Sequence, residues 1–224
     1  MYEYALTPSM SISFQRFPYP PTGLVTGLPT SWGALPLLHS APGKLVLPCP
    51  RGEAFWIGLV PSGHAQNGLR VIVSLASEHR VDALTGAPAD DIRPADVNDT
   101  AAPRNGIPGI LRGDGSWWAF ARDTGATTAP ACLGIELLCR SVGATEPFRE
   151  TNDPGRQHAG PGHRDESDRP PAPESRPSVK SPPDRGSSSS VEVDVVGPED
   201  FQALSGMRVQ PLEEANHYGG WRLP

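Results

Sequence analysis

Two histidines and three acidic residues carry the side chains of this sequence that are best suited to acid–base chemistry. His64 and His79 lie beside two predicted strands, and the acids Glu53, Asp82 and Glu136 lie in or next to strands. A histidine held by a carboxylate can act as the general base of a hydrolase. The sequence has no Gly-flanked serine of a nucleophile elbow, no phosphate-binding loop and no dinucleotide-binding fingerprint to accompany them. A hydrolase is therefore the third function considered, with no catalytic residue assigned.

Three tryptophans form a second group, because a flat indole ring can bind a protein or a sugar. Trp117 and Trp118 are adjacent, so a strand would direct them to opposite faces and leave one of them outside the core. Trp56 alternates with the apolar residues of segment 55–60 and is also expected on the outer face. Exposed aromatic residues favour a binding surface, unless the N-terminal arm or the C-terminal tail covers them.

The three cysteines, Cys49, Cys132 and Cys139, predict neither a disulfide framework nor a metal site. Their number is odd and low, and their spacing does not match the closely spaced ligands of zinc sites. Six residues separate Cys132 from Cys139, so a regular strand would place them on opposite faces. We therefore expect buried or half-buried thiols, and the sequence predicts no metal and no cofactor.

The elements that would position these residues are short strands separated by turns. Segment 53–76 contains two apolar runs around a loop rich in turn-forming residues, which predicts two strands joined as a long hairpin. No window between 44 and 144 shows the apolar period of a helix. Further strands are predicted at 44–47, 80–84, 110–112, 116–121 and 132–142. This pattern predicts a mainly β fold, with a single antiparallel β-sandwich or barrel-like domain over residues 44–144.

Residues 1–43 are predicted to form an irregular, Pro-rich arm. Pro18, Pro20 and Pro21 disfavour both a helix and a central strand. The arm carries aromatic side chains at Phe14, Phe17, Tyr19 and Trp32. We expect it to pack on the β domain and cover an edge or a face of the sheet. Docking on a neighbouring subunit is the alternative.

Composition divides the rest of the chain into a linker and a C-terminal element. Residues 145–190 are rich in Pro, Ser and charged residues and poor in large apolar ones, which predicts a disordered linker. Order returns in residues 191–224, where Val191, Val193 and Val195 alternate with acidic residues as in a strand.

The C-terminal element is too short to be stable alone, because even an isolated hairpin is marginal in water. Segment 198–206 predicts a short helix, with a proline at its first position and a glycine at its end. We expect the strand 191–196 to add to an edge of the β domain, with Phe201 and Leu204 of the helix packing beside it. Docking within the chain would complete its own fold, and docking on a neighbouring copy would tether an assembly.

Charge and hydropathy exclude several classes of partner. The net charge is −6 and lysine occurs only at Lys44 and Lys180, so no basic cluster supports nucleic-acid binding. No apolar run reaches the length of a membrane span, and no secretory signal is recognised at the start. A cytoplasmic location is expected, and a virion protein assembled in the cytoplasm would show the same features.

The leading function is therefore non-catalytic. We expect an interaction or assembly protein that binds a protein partner, or itself, through its β domain and a tethered C-terminal element. The alternative is a carbohydrate-binding or carbohydrate-processing β domain whose exposed tryptophans hold a glycan. The predicted binding residues are Trp56, Trp117, Trp118, His64, Val191, Val193, Val195 and Phe201.

Overall fold

A computed structural model describes residues 1–62, 66–89, 105–125, 127–142 and 188–212, and these form thirteen β-strands and one α-helix. The elements are β1 (Tyr4–Thr7), β2 (Met10–Pro18), β3 (Leu24–Val25), β4 (Leu38–Ala41), β5 (Lys44–Pro48), β6 (Glu53–Pro61), β7 (Gln66–Leu75), β8 (Arg80–Asp82), β9 (Gly106–Ile107), β10 (Gly109–Leu111), β11 (Trp117–Ala119), β12 (Cys132–Val142), β13 (Ser188–Val196) and α1 (Pro198–Ser205).

The strands form sheets that enclose one main apolar core. A four-stranded sheet has the order β1-β2-β6-β9, a six-stranded sheet has the order β4-β5-β13-β12-β7-β8, and a three-stranded sheet has the order β10-β11-β3. Side chains from the two larger sheets meet in a single buried cluster that includes Phe14, Phe55 and Val193. The mainly β fold predicted from the sequence is confirmed, and the described strands do not close into a barrel.

The two strands of segment 53–76 exist, but they do not form the predicted hairpin. β6 pairs with β2 and β9, whereas β7 pairs with β12 and β8 in the opposite sheet. The chain therefore passes from one sheet to the other between Pro61 and Gln66. Alternating apolar residues satisfy either arrangement, because each strand needs only one buried face.

The N-terminal region is more regular than the predicted arm. β1 and β2 form a hairpin, and β2 pairs with β6 along its full length, from Met10 opposite Pro61 to Pro18 opposite Glu53. Pro18 is the last residue of β2, so the prolines lie at or beyond the end of this ladder and do not interrupt it. Phe14 and Phe17 are buried, and Phe14 belongs to the main core.

The C-terminal strand and helix form as predicted, with a different start. β13 begins at Ser188 rather than at residue 191, so the last three residues of the predicted linker belong to a strand. The remainder of that linker, 145–187, lies outside the described residues. Among the described residues, no helix is long and apolar enough to cross a membrane.

Candidate functional site

The C-terminal element, defined here as residues 188–212, lies inside the six-stranded sheet and not at its edge. β13 runs parallel to β5 and antiparallel to β12, so both of its backbone edges are hydrogen-bonded. Val191, Val193 and Val195 point into the main core and are at most 4% exposed. The predicted valine stripe therefore packs in the chain's own core, and the predicted strand adds to two edges at once, those of β5 and β12, rather than to one.

Helix α1 packs on the outer face of β5 through one large side chain. Phe201 is buried against Val46 and Val209, as the sequence predicts. The helix begins at Pro198 and ends at Ser205, and it is capped by Gly206, whose φ of 71° is the left-handed conformation that favours glycine.

Leu204 differs from its predicted position. The sequence predicts that it packs beside the strand, yet it is 62% exposed. Leu204 follows Phe201 by three residues and so lies on a neighbouring part of the helix surface, but Phe201 is the buried residue of this helix. Met207, just beyond the helix, is also exposed, at 45%.

After α1 the chain reaches the end of the four-stranded sheet, where two side chains hold it. The Arg16 guanidinium donates from Nη1 to the carbonyl oxygen of Gln210 at 2.9 Å. The backbone N–H of Leu212 donates to Oε1 of Glu53 at 2.8 Å. Val209 and Leu212 are both buried, so the segment that follows the helix is part of the folded structure.

Of the two side chains that hold this segment, Glu53 has the more unusual environment. The residue is 3% exposed, and Oε2 accepts no hydrogen bond, although Arg16 Nη1 lies 3.7 Å away. Burial raises the pKa of Glu53, while the Arg16 charge and the Leu212 N–H bond oppose that rise. The carboxyl group of Glu53 thus joins β6 to the C-terminal element. Burial makes its ionised form less favourable than it would be in water.

The other predicted acids take part in separate structural contacts. Asp82 Oδ1 accepts the backbone N–H of Leu84 at 2.8 Å, and Oδ2 lies 3.6 Å from Arg70 Nε. Glu136 on β12 forms an ion pair with Arg80 on β8, across the intervening strand β7.

Of the two predicted histidines, the structure describes only His79. His79 is exposed in the turn between β7 and β8, and His64 lies outside the described residues. In the described parts of the chain, no three His, Cys, Asp or Glu side chains are grouped so that they could hold a metal ion.

The three tryptophans predicted as binding residues are half-buried. Trp117 and Trp118 both pack against the main core, and the Arg112 guanidinium lies 4.6 Å from the ring centre of Trp118. Trp56 lies on the outer side of the four-stranded sheet against a smaller apolar cluster that includes Phe17. None of these three rings is an open platform, although the alternation that placed Trp56 opposite the core is correct.

All three thiols are buried, as predicted, but the predicted placement of two of them is wrong. Cys132 and Cys139 lie in the same core cluster, because a bulge between Cys132 and Gly134 shifts the register of β12. Burial raises the pKa of Cys49 to about 12 and that of Cys139 to about 11, and it raises the pKa of Cys132 further. These thiols are held in the unreactive protonated form.

Sequence reasoning missed Arg16 as an anchor and the exposure of Leu204 and Met207. Arg16 contacts Gln210 across 194 positions of the chain, and no local pattern reports a contact of that range. The exposure of Leu204 has no local signal, because residues three apart lie on the same side of a helix and are expected to pack together.

Comparison of this chain with protein-family models, with curated proteins and with solved structures finds no match.

Proposed function

We propose that this chain is a non-catalytic interaction or assembly protein that binds a protein partner, or a second copy of itself, through its C-terminal element. The observation that carries the proposal is the side-chain arrangement of α1. Phe201 fixes the helix to the sheet, and Leu204 and Met207 remain 62% and 45% exposed beside it. Large apolar side chains held outward by a fixed helix are suited to burial against another protein.

The engagement of the candidate catalytic groups supports a binding role. Glu53 holds the backbone of Leu212, and Asp82 holds the backbone of Leu84. Glu136 is paired with Arg80. Each acid is used by a different part of the fold, which is the pattern of structural rather than catalytic carboxylates.

A carbohydrate ligand and a cytoplasmic or virion location stay predictions from the sequence. The half-burial of Trp56, Trp117 and Trp118 gives the glycan alternative less exposed aromatic surface than the sequence led us to expect.

The test is affinity capture and sedimentation velocity with the full chain and with a Leu204→Ser/Met207→Ser variant. A protein partner or self-association that is present with the native chain should be lost with this variant, because both exposed apolar contacts are removed. Leu133→Ser is the matched control, since Leu133 is 45% exposed on β12. If neither self-association nor any captured protein depends on these two residues, the proposal is wrong.

A further inference from the structure

The connection between β12 and β13 is far longer than their pairing requires. The two strands are antiparallel neighbours, and Arg140 lies directly opposite Ser188. A hairpin loop of about two to five residues closes such a pair. In this chain 45 residues, 143–187, separate the end of one strand from the start of the next. The covalent connection therefore does not determine which copy of the chain supplies the strand.

The C-terminal element is a plug, in the sense that it fills the gap that the rest of the chain leaves in the six-stranded sheet. β13 fills one strand position between β5 and β12, and its contacts are ladders on both edges with three valines in the core. α1 adds Phe201 on the outer face of β5. Without the plug, β5 and β12 would be separated by an empty strand position lined with backbone N–H and C=O groups and apolar side chains.

A second copy of the chain has the same plug and the same empty position, so the contacts are self-complementary. We infer that the C-terminal element can be exchanged between two copies, each β13 entering between β5 and β12 of the other. Reciprocal exchange closes on itself with twofold symmetry and leaves neither β5 nor β12 with an unpaired edge in either copy. This exchange would make a second copy of the chain the partner in the proposed assembly role, and its biological purpose rests on that proposed role.

Exchange depends on concentration. Both forms make the same strand and helix contacts, so the balance is set by the tether, which favours docking within one chain in dilute solution. A tether gives its docking segment an effective concentration on the order of millimolar. The exchanged pair is therefore expected where copies are crowded, as in an assembly, and not in dilute solution.

A single substitution can record which chain supplies β13. Ser189 lies directly opposite Cys139, and directly opposite residues of antiparallel strands have Cα separations of about 4.5–5.5 Å, within the range of a disulfide. In Ser189→Cys the native Cys139 thus gains a partner on β13. With docking inside one chain, the new disulfide is internal. With exchange, the same disulfide joins two chains and gives a covalent dimer.

The experiment refolds the full-length Ser189→Cys chain at increasing protein concentration in a glutathione redox buffer, followed by non-reducing electrophoresis. An equal mixture of ¹⁵N-labelled and unlabelled chains is used, and mass spectrometry identifies the linked peptides. We expect the ratio of dimer to monomer to rise in proportion to concentration, with labelled and unlabelled chains joined through positions 139 and 189. Cys139→Ala/Ser189→Cys is the control for random cross-linking.

A second pair keeps the test decisive if Ser189→Cys disturbs the core. Glu136 and Glu192 are also directly opposite and lie on the outer face, so Glu136→Cys/Glu192→Cys reports the same pairing from the solvent side. Internal disulfides alone, at every concentration up to about millimolar, would overturn the exchange. If association that depends on Leu204 and Met207 persisted in that case, the proposed function would stand while this inference failed. If neither an inter-chain disulfide nor an association that depends on Leu204 and Met207 is found, both the inference and the proposed function are wrong.

Discussion

At the scale of single residues, Glu53 is a buried carboxyl that holds the C-terminal element. It is 3% exposed, its Oε1 accepts the Leu212 N–H, and its Oε2 accepts no hydrogen bond. Burial raises its pKa, with Arg16 and the Leu212 bond acting in the opposite direction. A carboxyl whose pKa is higher in the folded than in the unfolded protein contributes its full stability below the unfolded pKa. That contribution is lost as the pH rises through the folded pKa.

Glu53→Gln should therefore change the pH dependence of stability in a defined direction. The amide keeps an acceptor for the Leu212 N–H and cannot ionise. The free energy of unfolding of the native chain should therefore increase relative to that of the variant as the pH falls from neutral. The gain should be about 1.4 kcal/mol for each unit by which the pKa of Glu53 is raised. Urea unfolding at several pH values measures it. Parallel pH profiles of the two proteins would contradict the burial effect.

The three buried thiols give a second expectation at this scale. Burial raises the pKa of Cys49 to about 12 and that of Cys139 to about 11, and only the thiolate reacts readily. A thiol reagent should label the native protein slowly at neutral pH and label it fast after addition of denaturant. Rapid labelling of a native cysteine would show that the core is open at that position.

At the scale of elements, α1 separates a residue that holds the fold from one that does not. Phe201 is 1% exposed, whereas Leu204, three residues further along the helix, is 62% exposed. Phe201→Ala should cost about 3 kcal/mol of stability, as for other buried phenylalanines. Leu204→Ala should stay within about 0.5 kcal/mol of the native chain, as for most exposed positions. Thermal or denaturant unfolding of the two variants measures these stability losses. Similar losses in both variants would be inconsistent with this packing.

β13 makes a larger contribution, because it is an interior strand with two ladders. Deleting residues 188–224 leaves β5 and β12 without a neighbour on one side, and it removes Val191, Val193 and Val195 from the core. The truncated chain should lose its cooperative thermal transition in circular dichroism. Truncation after Leu212 is the control, since it retains every described contact of the C-terminal element. An unchanged melting temperature for the longer deletion would show that β13 is dispensable.

At the scale of the whole molecule, the chain folds from two stretches that are far apart in sequence. Residues 1–142 supply most of both large sheets, and 188–212 complete one of them. The composition of 145–187, with many Pro and Ser and few large apolar residues, predicts a linker that cannot form a core. Limited proteolysis should therefore cut first between 145 and 187, leaving fragments that remain associated through β13. An early cut inside β5–β7 would contradict the division of the chain.

The sequence by itself determined where the strands lie and which of their faces are apolar. Val191, Val193 and Val195 alternate with acidic residues, and this local pattern correctly predicted a strand with one buried face. The helix over Pro198–Ser205 and the burial of Phe201 followed from equally local features. Local patterns sufficed because strand and helix periods are set by backbone geometry within a few residues.

The tertiary structure decided which strands pair and which side chains remain outside. β6 pairs with β2 rather than with β7, and β13 enters the interior of a sheet although its sequence would suit an edge equally well. A strand offers the same hydrogen-bonding groups to any neighbour, so its partner depends on the edges and apolar faces that the complete fold leaves available. The contact of Arg16 with Gln210 and the exposure of Leu204 depend on that choice. Both features depend on the packing of residues 188–212 on the sheets formed by residues 1–142.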